Sequence, residues 1–191
     1  MPAVGLSGAD AGILLVRRRP PVEVEGQAVD YGMVGDPVST RVDVLRALLE
    51  KDYVPVVCPL GIDSEGRILN VNADTVAMEL AVGLSAAKLF FVTDKPGILH
   101  DPNDPASVYS TLSIADIRRL IGDKVISGGM LPKANAGVAA LQRGVQRVHI
   151  VGASEPDALL DETFTNQGCG TMLVSEHERA AESQGRPGAL A

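Results

Sequence analysis

Residues 70–99 read NVNADTVAMELAVGLSAAKLFFVTDKPGIL, and this stretch decides the fold. Asn72 is placed to cap a helix, and Asp74 falls in its first turn, where the helix dipole favours an anion. Gly83 is the expected helix end. Residues 88–93 then form an apolar strand that runs straight into Thr93-Asp94 and a proline-glycine turn. A helix followed by a buried strand, with polar side chains collected at their ends, is the unit from which α/β enzymes build small-molecule sites.

The same alternation extends in both directions. Residues 12–18 (GILLVRR) read as a strand. Pro20 to Gly26 turns the chain, and residues 27–34 return it, so a β-hairpin excursion is expected near residues 12–34. Ser39 or Thr40 is the expected cap of a helix carrying Val42, Leu45, Leu48 and Leu49 at helical spacing. Residues 54–60 read as a buried strand interrupted by a proline, and residues 63–66 as a polar turn. Beyond the opening stretch, Ser113 caps a helix carrying Ile114, Ile117, Leu120 and Ile121. Gly128-Gly129 precedes Pro132, which suits a first helical turn. Residues 145–151 form a strand, residues 156–164 a helix and residues 170–174 a last strand. The expected class is α/β with a largely parallel sheet. The polar segment from Glu176 is expected to fray.

Bulk composition narrows the function. The 191 residues are 46% hydrophobic but only 3% aromatic, so the core must be built from Val, Leu, Ile and Ala. A formal charge of −7 argues against a nucleic-acid surface, which needs a cationic face. The one basic cluster, Arg17-Arg18-Arg19, reads as a solvated strand end. Cys58 and Cys169 lack metal-ligand spacing; Cys58, inside an apolar run, reads as a small core residue. No membrane span or signal peptide is seen. The GxxxxGK[ST] and GxGxxG loops, zinc spacing and a GxSxG elbow are all missing.

What remains is a set of polar side chains at element ends. Asp74 taken alone complements a helix dipole, but Asn70 and Asn72 flank it, and amides there can grip a carboxylate or carbonyl. Asp94 at a strand end can accept from ribose hydroxyls, or the segment 94–97 is an ordinary turn. Residues 127–130 (SGGM) expose amides ahead of a helix, which is anion-binding geometry. Lys133 is either a surface lysine or a cation reaching a phosphate from that helix's first turn.

Six segments carry a specific resemblance: AVGLSGADAG (residues 3–12), VPVVCPLGIDSEG (54–66), NVNADTVA (70–77), LFFVTDKPGIL (89–99), ISGGMLPKANA (126–136) and FTNQGCGTML (164–173). Together they are similar to the acetylglutamate kinases of the amino-acid kinase family. The resemblance implies a three-layer αβα sandwich and transfer of the ATP γ-phosphate to the side-chain carboxylate of N-acetyl-L-glutamate in arginine biosynthesis. By the same resemblance Lys133 and Asp74 are catalytic. Lys133 neutralises charge on the transferred phosphoryl group, and Asp74 holds the catalytic lysines. Asn70 and Asn72 face the substrate. Thr93, Asp94, Lys95, Pro96, Gly97, Ile98 and Leu99 line the nucleotide site with Val125, Ile126, Ser127, Gly128 and Gly129. Mg2+ is held mainly by the ATP phosphates, with no protein ligand assigned. His149, Glu162 and Gly168 match residues that bind L-arginine in arginine-inhibited members. Val151 to Ser154 and Asp157 depart from the family pattern there.

The absence of a disulfide framework fits a cytoplasmic setting, and the resemblance implies a homodimer, with hexamers among arginine-sensitive members. It divides the chain into a substrate-lobe remainder with the hairpin (1–69), a nucleotide lobe (70–175) and a flexible tail (176–191). Family members begin with a strand and a Lys-x-Gly-Gly loop. Met1 falls about a third of the way into that pattern, so the N-terminal portion is expected to be missing and the chain alone to have little or no kinase activity. Two other readings share these motifs: a kinase of carrier-bound aminoadipate, and a catalytically dead module that binds arginine or nucleotide.

Overall fold

The computed structural model describes residues 1–154, 156–165 and 168–179. They form two compact units, residues 1–84 and the residues from Ser85 onward.

In the first unit β1 (Ala3–Ser7) leads through a single 3-10 turn into β2 (Leu14–Arg18). Next come β3 (Val22–Val24), β4 (Gln27–Val29), β5 (Gly35–Thr40), α1 (Asp43–Leu49), β6 (Val54–Cys58), β7 (Leu60–Ile62), β8 (Ile68–Asn70) and α2 (Ala73–Leu84). Strands β1 and β6 pair in parallel. A second sheet has the order β5-β2-β7-β8, antiparallel at β5–β2 and β7–β8. Leu14 and Val16 of β2 pack with Leu69, Val71, Val76 and Leu80, so the apolar side of α2 closes over this sheet. Gly61 lets β7 approach β2: a Cβ there would collide with the Val16 side chain.

Several sequence expectations are corrected here. The hairpin excursion exists, but it is the short β3–β4 pair turning at Glu25-Gly26. The strand that returns along β2 is β5, not residues 27–34. Ser39 and Thr40 therefore lie in β5 rather than capping α1, whose N-cap is Val42 without a side-chain bond. Residues 54–60 are not a buried strand. Val54 and Val56 of β6 are exposed, and Cys58 is exposed rather than in the core. Val71, Val76 and Leu80 belong to the core of the first unit, which runs to Leu84.

The second unit holds β9 (Lys88–Thr93), β10 (Thr111–Ser113), α3 (Ile114–Gly122), α4 (Met130–Gln142), β11 (Arg147–Gly152), α5 (Ala158–Phe164) and β12 (Thr171–Val174). Its sheet has the order β10-β12-β11-β9, parallel at β10–β12 and β11–β9 and antiparallel at β11–β12. Alternation along β11 sends Val148 and His149 to opposite faces. Val148 meets Gly137 of α4, whereas His149 bonds Glu162 of α5, so helices cover both faces in an αβα arrangement. Ala134, Ala136, Gly137 and Ala140 let α4 sit close on the sheet; a Cβ at Gly137 would lie 2.7 Å from Leu173 Cδ1. Val148, Ile150 and Leu173 are fully buried, each worth roughly 1.5–3 kcal/mol.

The first residues of the expected flexible tail are held in place. Glu176 accepts from the Ala115 amide at 2.7 Å, and Arg179 donates to the Thr111 carbonyl at 2.6 Å. Residues 180–191 lie outside the described residues.

Candidate functional site

In the first unit the polar cluster forms as β8 passes into α2. The Asn72 side-chain oxygen accepts from the Thr75 amide at 3.1 Å, so Asn72 is the N-cap of α2. Asp74 follows in the first turn, half-buried, with Asn70 exposed at the end of β8. Just upstream, Asp63 closes the β7–β8 turn. It accepts from the Glu65 and Arg67 amides, each at 2.9 Å, and from Arg67 Nε at 2.7 Å. Burial opposes ionisation of Asp63, but these donors hold its carboxyl below the usual range. Residues 68–70 thus leave a hairpin whose turn Asp63 holds, and α2 with Asp74 begins three residues on.

In the second unit the strand ends carry the loop of Asp94, Lys95, Pro96 and Gly97. Thr93 donates from Oγ1 to Asp94 Oδ1 at 3.0 Å, and the Ala153 amide donates to the Thr93 carbonyl at 2.7 Å. Gly152 admits the loop backbone: a Cβ there would lie 3.0 Å from Pro96 Cα. The loop ends at Ile98, which is buried, and Leu99 bridges Val108. The other expected nucleotide segment leaves α3, which Ser113 and Asp116 close with a capping box. The amides of Val125 and Ile126 both donate to the Leu120 carbonyl. Ser127, Gly128 and Gly129 are exposed, and Gly128 has φ +54° with open space around its Cα. Gly129 is the N-cap of α4, and Lys133 lies in its first turn, half-buried.

The densest polar constellation lies under α5. His149 Nδ1 and Glu162 Oε1 are 2.7 Å apart, with both side chains about 5% exposed or less. Glu162 Oε2 accepts from the Cys169 and Gly170 amides at 2.8 and 2.9 Å. The His149 ring stacks on Phe90 at 4.6 Å between centroids. Its Nε2 is buried without a partner among the described residues. Gly168, at φ +60°, leaves room for the carboxylate, since a Cβ there would stand 2.5 Å from Oε2. Burial works against the Glu162 anion. The His149 bond and the two amides prevail and hold its carboxyl below the usual range.

The structure therefore brings His149, Glu162 and Gly168 together, although thirteen residues or fewer separate each neighbouring pair. Cys169 and Gly170, whose amides donate to Glu162, complete the cluster and are site residues that the sequence alone does not single out. The alternation of Gly168 and Gly170 ahead of a strand is the signal that could have found them. Among the described residues, no group of three or more His, Cys, Asp or Glu side chains is placed to hold a metal ion. No described helix is long and apolar enough to cross a membrane.

This fold and these strand-end loops match a known class: the chain belongs to the amino acid kinase family, whose model matches residues 1–152. Among curated relatives, acetylglutamate kinase of Myxococcus xanthus is 48% identical over 183 residues, covering 93% of this chain and 59% of that protein. Acetylglutamate kinase of Methanothrix thermoacetophila is 43% identical over 89% of this chain, again 59% of its own length. The chain thus spans about three-fifths of the length of these relatives. Among solved structures, N-acetylglutamate synthase from Neisseria gonorrhoeae, complexed with coenzyme A and L-arginine, superposes with a TM-score of 0.76 at 27% identity. That match covers 91% of this chain and 38% of that one. Carbamate kinase from Giardia shares the fold, with a TM-score of 0.63 at 18% identity over 92% of this chain and 63% of that one.

Proposed function

We propose that this chain supplies the nucleotide-binding residues and part of the substrate wall of an acetylglutamate kinase, which moves the ATP γ-phosphate to the side-chain carboxylate of N-acetyl-L-glutamate. The observation that carries the reading is identity of 40–48% to acetylglutamate kinases over about nine-tenths of the chain. Phosphoryl transfer asks a protein mainly to position the reactants and to neutralise charge. Lys133, on the first turn after the exposed Ser127-Gly128-Gly129 loop, supplies a cation for the phosphates, assisted by the positive end of α4. The segment from Thr93 to Leu99 holds the nucleoside, with the Asp94 carboxylate for ribose hydroxyls. Asn70 contacts acetylglutamate, and Asp74 is a catalytic carboxylate of the same reaction. Asn72 serves that wall as the cap that fixes Asp74. Mg2+ enters with the nucleotide on its phosphates.

The cluster of His149, Glu162 and Gly168 is proposed as an L-arginine effector site. With Glu162 holding Nδ1, the unpartnered Nε2 of the buried His149 ring suits a ligand carrying an N–H donor. Arginine biosynthesis in the cytoplasm, as a homodimer, completes the reading.

The test is titration of the chain with N-acetyl-L-glutamate in the presence of Mg2+ and a non-hydrolysable ATP analogue. Saturable heat that N70A abolishes is expected. Binding of a carrier-linked aminoadipate with no binding of acetylglutamate would replace the substrate assignment. L-arginine heat without acetylglutamate heat would favour the regulatory module.

A further inference from the structure

Thr171 is fully buried at the start of β12, and its hydroxyl is used across the molecule rather than locally. Oγ1 accepts from the Ile98 amide at 2.9 Å, a bond spanning 73 residues of sequence. Ile98 is where the proposed nucleotide loop re-enters the core, at 2% exposure. The neighbouring Gly97 fits only because it lacks a side chain. Its Cβ would stand 2.7 Å from Thr171 Oγ1 and 2.8 Å from Val108 Cγ1. At the other side of Thr171, the Gly170 amide is fixed on Glu162 Oε2 at 2.9 Å. One peptide unit therefore separates the buried carboxylate cluster from the hydroxyl that holds the loop.

We propose that Thr171 is a positioning residue: its hydroxyl sets the loop of residues 94–98 for nucleotide, and Glu162 sets Thr171 through the Gly170 amide. The proposal rests on the assignment of that loop to the nucleotide site. A buried amide left without an acceptor is costly, so without the hydroxyl the loop departs from its binding-ready conformation. Nucleotide affinity then falls in proportion to the fraction of binding-ready molecules. Displacing the Glu162 carboxylate acts along the same line, because it frees the Gly170 amide and with it the start of β12.

The experiment measures Mg·ATP affinity by calorimetry for the parent chain, T171V, T171S, E162A and the E162A/T171V pair. T171V keeps the shape and removes the acceptor, and its Kd is expected to rise about tenfold. T171S keeps the acceptor and stays within about twofold of the parent. E162A, which removes the acceptor of the Gly170 amide, weakens binding in the parent background but adds little to T171V, the mark of two residues acting through one link. N-acetyl-L-glutamate affinity is unchanged in T171V, which a general loss of structure would not allow. A T171V affinity equal to the parent's, a T171S affinity as weak as T171V's, or additive effects of E162A and T171V would each overturn the proposal. If T171V does not fold, hydrogen exchange at the Ile98 amide of the parent decides. Strong protection supports the bond, and exchange at the rate of exposed amides overturns it. A parent chain that binds no Mg·ATP at all would instead sink the nucleotide-site assignment, a distinguishable result.

Discussion

Replacing Gly168 with alanine tests the buried cluster from its most constrained side. The backbone there has φ +60°, a left-handed conformation that costs a residue with a Cβ about 1–2 kcal/mol. The added methyl would stand 2.5 Å from Glu162 Oε2 and 3.2 Å from its carboxyl carbon. The carboxylate has no easy retreat, because Oε1 is bonded to His149 and Oε2 to the Cys169 and Gly170 amides. Losing one of these charge-assisted bonds costs about 1.5–3 kcal/mol. Together the two effects amount to roughly 2.5–5 kcal/mol, which lowers the melting temperature of a chain this size by about 5–20 °C. The control is G128A. Gly128 also has positive φ, at +54°, but nothing lies within 4 Å of its would-be Cβ, so only the backbone cost applies. Scanning calorimetry compares the two. If G168A melts within about 2 °C of G128A, the carboxylate is not pinned as described, and the cluster loses its structural basis.

Two further outcomes follow from the same geometry. The Glu162 carboxyl sits below its ordinary value in the folded chain, so its stabilisation is complete above the unfolded value of about 4.3 and is lost as pH falls through the folded one. Urea unfolding should therefore show stability declining on the acid side. E162Q should lower the neutral plateau and flatten that acid limb, whereas an acid limb of unchanged slope would contradict the assignment. Ser113 accepts from the Asp116 amide at 3.1 Å while Asp116 Oδ2 accepts from the Ser113 amide at 3.1 Å. S113A is expected to cost about 1 kcal/mol in urea midpoint measurements, and an unchanged midpoint would show that the Glu176 contact to α3 suffices alone.

Much of the fold could be read locally. The caps Asn72 and Ser113, the strand of residues 88–93, and the Gly128-Gly129 entry to α4 are written in side chains that act within four residues of themselves. The failures are where pairing at a distance decides. Residues 3–7 carry too little β-branched character to announce β1, which forms because it pairs with β6. Ser39 and Thr40 have cap chemistry, yet β2 recruits them into a strand. Cys58 sits in an apolar run but faces out, because alternation in a strand, not composition, sets exposure. His149, Glu162 and Gly168 stand out in the sequence only through the family resemblance. The three bonds that saturate the carboxylate, and the Thr171 link beside it, depend on where β12 begins and carry no local signature.

The central claim is that Lys133 and the Gly-Gly loop before it grip nucleotide phosphates, and calorimetric titration of the chain with Mg·ATP, parent against K133A, tests it most directly. The account predicts saturable binding by the parent and a Kd about 10- to 100-fold weaker in K133A, the loss of one charge-assisted contact. A parent that takes up no Mg·ATP, or a K133A chain that binds it as tightly as the parent, would contradict it.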